Sequence, residues 1–366
     1  MELTPELVSL RQLLNNDDES TIRLGILLAK GMQVPFALFP DLTNTNFKKL
    51  LCLEADFIDP LKLITDLHLN SLAIEALPDS IGQLPQLKTL LVYSNELQHL
   101  PANLQVFKNL TRLHVDSNRL KSLKGIEKLR NLRHLYAHFN RLTDVEHIGF
   151  LSHLRSLHLH KNYIQELPAS FEHLSQLQVC NLSQNQLIRL PDFIGQWFAM
   201  EELNLDTNQI FEVSPKIGQL QKLQKLHLSN NRLETFPEAI TQLHHLKELH
   251  LNFNNISELP ASIERMQQLT WLNLGENKFK QIPENIGALK KLKRLDLGDN
   301  RLEYLPESIA TLPQLTHLRL HSNQLFSLPQ GIENMTQLTH LTLLSNNLSK
   351  AEKAALTKKL PNTEIT

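Results

Sequence analysis

The stretch Leu154-Arg155-Ser156-Leu157-His158-Leu159-His160-Lys161-Asn162-Tyr163-Ile164 decides the fold. Between Leu157 and His160 apolar and polar residues alternate, so a short strand there buries Leu157 and Leu159 and displays His158 and His160 on its other face. One such strand cannot hold itself together in water. The pattern LxxLxLxxNxL recurs, however, beginning at Ile64, Leu87, Leu110, Leu132, Leu154, Leu177, Met200, Leu223, Leu246, Leu269, Leu292, Leu315 and Leu338. These thirteen copies are 23 residues apart, except for two steps of 22 from Leu110 to Leu132 and from Leu132 to Leu154. A period this regular predicts stacked units that share one continuous core.

The pattern resembles the leucine-rich repeat proteins from about Ile64 to Leu348. That resemblance implies an α/β solenoid, a curved right-handed superhelix whose concave face is a parallel sheet of about thirteen strands. The ninth position is Asn in twelve of the thirteen copies, from Asn95 to Asn346, with Leu72 the exception. A buried amide there would satisfy backbone groups that the bend leaves unpaired, which makes the ladder structural. The second half of most copies reads LPxxIxxLxxL, as at Leu77-Pro78 and Leu305-Pro306, leaving room only for a short helical turn and hence a thin convex side. This half resembles cytoplasmic scaffold-type repeats, Ras-pathway or Scribble-like, or bacterial cytoplasmic members. The 22-residue copies, with Leu123-Lys124 and Val145-Glu146, look closer to the phosphatase-regulator subclass. Trp197 falls where other copies carry a return-leg Leu and is expected in the core.

Composition agrees with a repeat. Of 366 residues 78 are Leu and only 11 Gly, and the net charge of -1 excludes a strongly acidic or basic disordered chain. No apolar stretch reaches about 18 residues, and Met1 to Asp17 has no signal-like pattern. Cys52 and Cys180 are isolated, so neither a disulfide framework nor a CxxC pair is expected. Together these features predict a cytoplasmic protein with no membrane association.

Three segments follow. Residues 1–63 are read as a helical N-terminal cap, with helices from Thr4-Pro5 to about Leu14, from Glu19 to Lys30 and around Phe47 to Glu54. Residues 64–348 form the solenoid. Residues 349–366 are read as a cap helix started by Ser349 and stopped by Pro361, with Asn362 to Thr366 along the last strand. Both caps would cover apolar edges of the stack.

Chemistry-bearing motifs are absent: there is no GxGxxG, no GxxxxGK[ST] and no HExxH. No cofactor and no catalytic residues are expected, and the chain is read as a non-catalytic scaffold or regulatory subunit. What remains is the displayed surface. The third, fifth and seventh positions of the copies hold eleven of the seventeen histidines. In copies three to five, Arg112, Arg119, Arg133, Arg141, Arg155 and Lys161 face Asp116 alone, whereas copy seven shows Glu201, Glu202 and Asp206. Aromatic side chains give large contact area with few rotors. The partner-binding candidates are accordingly Tyr93, Arg112, His114, His134, Tyr136, His138, Phe139, His158, His160, Glu202, Asp206, His250, Phe253, Trp271 and Arg294. The expected partner is a protein or peptide, with an acidic segment over the first patch; a near-neutral chain without a basic stripe argues against nucleic acid. The alternative is a histidine-dependent metal or pH sensor in copies three to five, with Asp116, His138 and His160 as a column of candidate ligands. In that patch, mutual repulsion is expected to depress the histidine pKa values.

Overall fold

The computed structural model describes residues 4–34 and 38–366, so residues 1–3 and 35–37 of the N-terminal segment lie outside the described residues. The chain packs as two compact units, Met1–Asn162 and Tyr163–Thr366.

The first unit opens with three helices, α1 (Pro5–Leu14), α2 (Glu19–Gly31) and α3 (Asn46–Glu54). Each begins where the sequence offers a start. Pro5 stands at the first turn of α1, the Asp18 carboxylate accepts from the Thr21 amide ahead of α2, and the Thr45 hydroxyl accepts from the Lys48 amide ahead of α3. Ile26, Ala29, Leu51 and Leu53 bury the inner faces of α2 and α3. Five parallel strands follow, at Asp66–His68, Thr89–Leu91, Arg112–His114, His134–Tyr136 and Ser156–His158. Leucine stands opposite leucine throughout, Leu67 to Leu90 to Leu113 to Leu135 to Leu157, because the side-chain period of two fixes the register once one face is buried.

The second unit repeats the scheme at Val179–Asn181, Glu202–Asn204, Lys225–His227, Glu248–His250, Trp271–Asn273, Arg294–Asp296, His317–Arg319 and His340–Thr342. It ends with α4 (Lys350–Lys359), where Ser349 and Glu352 form a reciprocal capping box. The tail then adds one more parallel strand, with His340 opposite Glu364 and Leu341 opposite Ile365. Among the described residues the main parallel ladder therefore has fourteen strands, thirteen from the repeats and one from the tail. This is the leucine-rich solenoid expected from the sequence.

Return legs are short 3-10 turns, such as Asp79–Gln83 and Glu307–Thr311. Trp197 is fully buried on one of them, and its indole N–H donates to the Phe171 carbonyl at 2.8 Å. The asparagine ladder is buried and bonded as its chemistry requires. Asn118, for instance, accepts from the Leu97 amide at 3.0 Å and donates to the carbonyls of Val92, Val115 and Asp116. Asn95 covers the gap left by Leu72, because its oxygen takes two amides, those of Leu72 and Ile74.

Two features were not anticipated. The eighth residue of every copy, from Ser71 to Ser345, has a positive φ of 51–60° although none is glycine. Such a conformation costs an L-residue about 1–2 kcal/mol. Its amide bonds across to the next copy in most cases, as Phe139 to His160 and Phe253 to Gly275, which offsets the cost. Away from the main sheet, Arg189–Leu190 pairs with Glu212–Val213 as a separate two-stranded ribbon.

Candidate functional site

In the first unit, the fifth positions of copies three to five stack their rings. His114 and Tyr136 lie 4.0 Å apart and nearly parallel, and Tyr136 and His158 lie 4.6 Å apart at 4°. The spacing is that of neighbouring strands, so the register of the leucines sets the stack. Beside it runs the seventh-position column. His138 Nε2 is 3.5 Å from Asp116 Oδ2, and His138 stacks on His160 at 4.2 Å. Phe139 meets both imidazoles edge-on, and the Lys161 ammonium sits 4.1 Å from the Phe139 ring centre.

His134 lies among cations. Burial lowers its pKa first, and Arg112, Arg155 and Arg133, with His114, push it the same way. Among the described residues these three guanidiniums make no hydrogen bond or ion pair. Arg119 is different: it pairs with Glu96 at 3.0 Å, so the positive surplus counted from sequence is smaller by that pair. The histidine pKa values are indeed depressed at His134, His138 and His160, but the main cause is burial and not mutual repulsion. His160 is pushed down to about 4. It therefore stays neutral across the range where a pH sensor would need to charge.

The second unit carries another row. Asp206 Oδ2 is 3.7 Å from His227 Nδ1, His227 stacks on His250 at 4.5 Å, and His250 meets Trp271 edge-on at 4.4 Å. Burial raises the pKa of Asp206, while burial and then His227 push that of His250 down to about 4. The Arg294 guanidinium lies 5.1 Å from the Trp271 ring centre, at a cavity of about 280 Å³ whose lining also includes Asp296, His317 and Arg319. Asp296 holds Arg319 at 3.2 Å, whereas Arg294 has no ion pair among the described residues.

The candidates are thus not equivalent. Glu202 is engaged by Lys225 at 3.6 Å and offers no free charge. Tyr93 and Phe253 make no ring contact among the described residues, and Phe253 is 49% exposed at its positive-φ turn. The proposed column of metal ligands does not converge: the Asp116, His138 and His160 rings and carboxylate stack in a line. Among the described residues, the His, Cys, Asp and Glu side chains that bring three ligand atoms together are His227, Glu248 and His250. Sequence reading had placed His250 on the surface but missed Glu248. The signal was available, since Glu248 is two residues before His250 on one strand and therefore shares its face.

A parallel sheet of short strands, closed on its far side by 3-10 turns and held by an asparagine ladder, defines a leucine-rich solenoid. The chain belongs to the leucine-rich repeat family. Family models described as leucine-rich repeat region, leucine rich repeat, and leucine rich repeats in two copies match residues 261–362, residues 130–187 and 199–256, and residues 108–149, respectively. Among solved structures it is similar to a leucine-rich repeat protein of Leptospira interrogans, with 29% identity and a TM-score of 0.62 over 86% of this chain and 97% of that one. It is similar in fold to the leucine-rich repeat domain of APL1B, with 23% identity and a TM-score of 0.70 over 87% and 91%. The plant peptide hormone receptor RGFR1, solved in complex with RGF2, is 26% identical with a TM-score of 0.55 over 79% of this chain and 56% of the receptor chain. A search among curated proteins found no match. Among the described residues no helix is long and apolar enough to cross a membrane.

Proposed function

We propose that this chain is a non-catalytic scaffold or regulatory subunit of the LP-containing repeat type that binds an acidic segment of a protein or peptide on the open face of its sheet. The observation that carries the reading is the set of Arg112, Arg133 and Arg155 around His134, three guanidiniums without ion-pair partners among the described residues, beside the stacked His114, Tyr136 and His158. Guanidiniums bind carboxylates in bidentate pairs, and the stacked rings give a rigid contact area that loses little entropy on binding. Leucine-rich repeat proteins commonly mediate protein–protein interaction, and a receptor of similar fold is solved with its peptide. We place the chain in the cytoplasm; two buried cysteines that form no disulfide suit a reducing compartment.

The test uses a fluorescein-labelled peptide of six glutamates, followed by anisotropy at low salt. Binding should weaken as salt rises, and replacing Arg112, Arg133 and Arg155 together by Ser should reduce affinity at least tenfold. Equal binding by the wild-type and triple-variant proteins would contradict the reading.

A further inference from the structure

The geometry points to a second, separate site: we propose that His227, Glu248 and His250 bind a divalent transition metal ion of the zinc class. This inference stands apart from the acidic-partner reading, because it uses different residues in the other unit.

Register brings the three together. His227 and His250 stand directly opposite on adjacent parallel strands, and Glu248 opposes Lys225 on the same strand as His250, with its side chain on the same face. One ligand atom from each of the three lies within 4.8 Å of the others. Two imidazoles and a carboxylate form a donor set suited to zinc, copper or nickel, and three protein ligands leave a fourth position for water or for an atom of another molecule.

Three further observations fit a ligand set better than a packing cluster. The Nε2 atom of His250 is buried without a hydrogen-bond partner among the described residues. A polar atom in that state is costly unless something pairs with it. The Glu248 carboxylate makes no hydrogen bond or ion pair among the described residues, so it is uncommitted. Behind His227, the Asp206 carboxylate stands 3.7 Å from Nδ1, too far for a hydrogen bond as the ring now lies but near enough to form one when the ring turns, as carboxylates do behind ligating histidines.

The rings must tilt to close on an ion. They lie parallel at 4.5 Å, whereas zinc bonds of about 2.0–2.1 Å in tetrahedral array bring donor atoms to roughly 3.3 Å. At 3.7 Å the Asp206 contact is longer than a hydrogen bond and leaves His227 free to turn.

Trp271 supplies a built-in reporter, since its ring lies against His250 while the other tryptophan, Trp197, is fully buried on a return leg. The experiment titrates the full chain with zinc chloride by calorimetry and, in parallel, with copper(II) while tryptophan emission is read. We expect one zinc per chain and strong copper quenching. His227→Gln and His250→Gln should each weaken zinc binding at least tenfold, whereas His138→Gln and His160→Gln should leave it unchanged. Trp271→Phe should abolish most of the quenching without removing the zinc heat. Glu248→Gln, at a half-buried side chain, should weaken zinc as well and covers the case in which a histidine variant fails to fold. No zinc heat in the wild-type protein, or equal zinc binding and quenching in the His227, Glu248 and His250 variants, would overturn the proposal.

Discussion

Replacing Asn208 by Ala removes one rung from the middle of the asparagine ladder, and the hydrogen bonds set the size of the effect. The Asn208 amide donates to the carbonyls of Leu182, Leu205 and Asp206 at 3.1, 2.9 and 3.3 Å, and its oxygen accepts from the Leu187 amide at 3.0 Å. All three carbonyls keep a second donor after the change. Asn185 still bonds Leu182, Asn231 still bonds Leu205, and the Gln184 amide still bonds Asp206. Only the Leu187 N–H is orphaned. One unsatisfied buried donor costs about 1–3 kcal/mol, so the expected loss is about 2 kcal/mol and not four bonds' worth. Because each copy contacts its neighbours most, the loss should appear locally. Hydrogen exchange should therefore rise first in residues 182–208, together with a lower denaturation midpoint. At the end of the stack Asn346 is only part-buried, and Asn346→Ala should cost roughly half as much. A neutral Asn208→Ala, or equal losses at both positions, would refute the reasoning.

Two further outcomes follow from the same structure. His250 has an unfolded-state pKa near 6.5 and a folded value of about 4, so the unfolded chain binds the proton first as pH falls; the stability present above pH 6.5 is lost on the way down towards 4. At pH 5 the loss from this group is about 2 kcal/mol, and His250→Gln should flatten the fall in melting temperature between pH 7.5 and 5. Deleting residues 349–366 strips both α4 and the strand that pairs with His340–Thr342, exposing an apolar sheet edge; light scattering should show self-association that the full chain does not show.

The strands, the inward leucines, the ladder and the terminal helices were legible because each is written in residue type at a fixed spacing, and burial leaves only one register. The left-handed turn at the eighth position was not, because Phe139, Lys161 and Phe253 occupy it where a glycine would have marked it. The candidate site was legible as a face and not as a set of pairs. His114, Tyr136 and His158 could be placed in one column by counting, but whether rings stack in a line or ligand atoms converge depends on side-chain rotamers. For that reason the Asp116 column looked like a ligand set, and the His227, Glu248 and His250 cluster went unnoticed. Charge counting failed for a similar reason, since Glu96 and Lys225 lie outside the displayed patches yet engage Arg119 and Glu202.

The central claim is that recognition uses the open sheet face. The most direct measurement places the photo-crosslinking residue p-benzoylphenylalanine at Tyr136 on that face, and at Phe198 or Phe211, which are exposed off it. Each variant is irradiated in a lysate of the source cells. The account predicts an adduct from position 136, lost when Arg112, Arg133 and Arg155 are replaced by Ser, and none from 198 or 211. Adducts from 198 and 211 with none from the sheet face would contradict it.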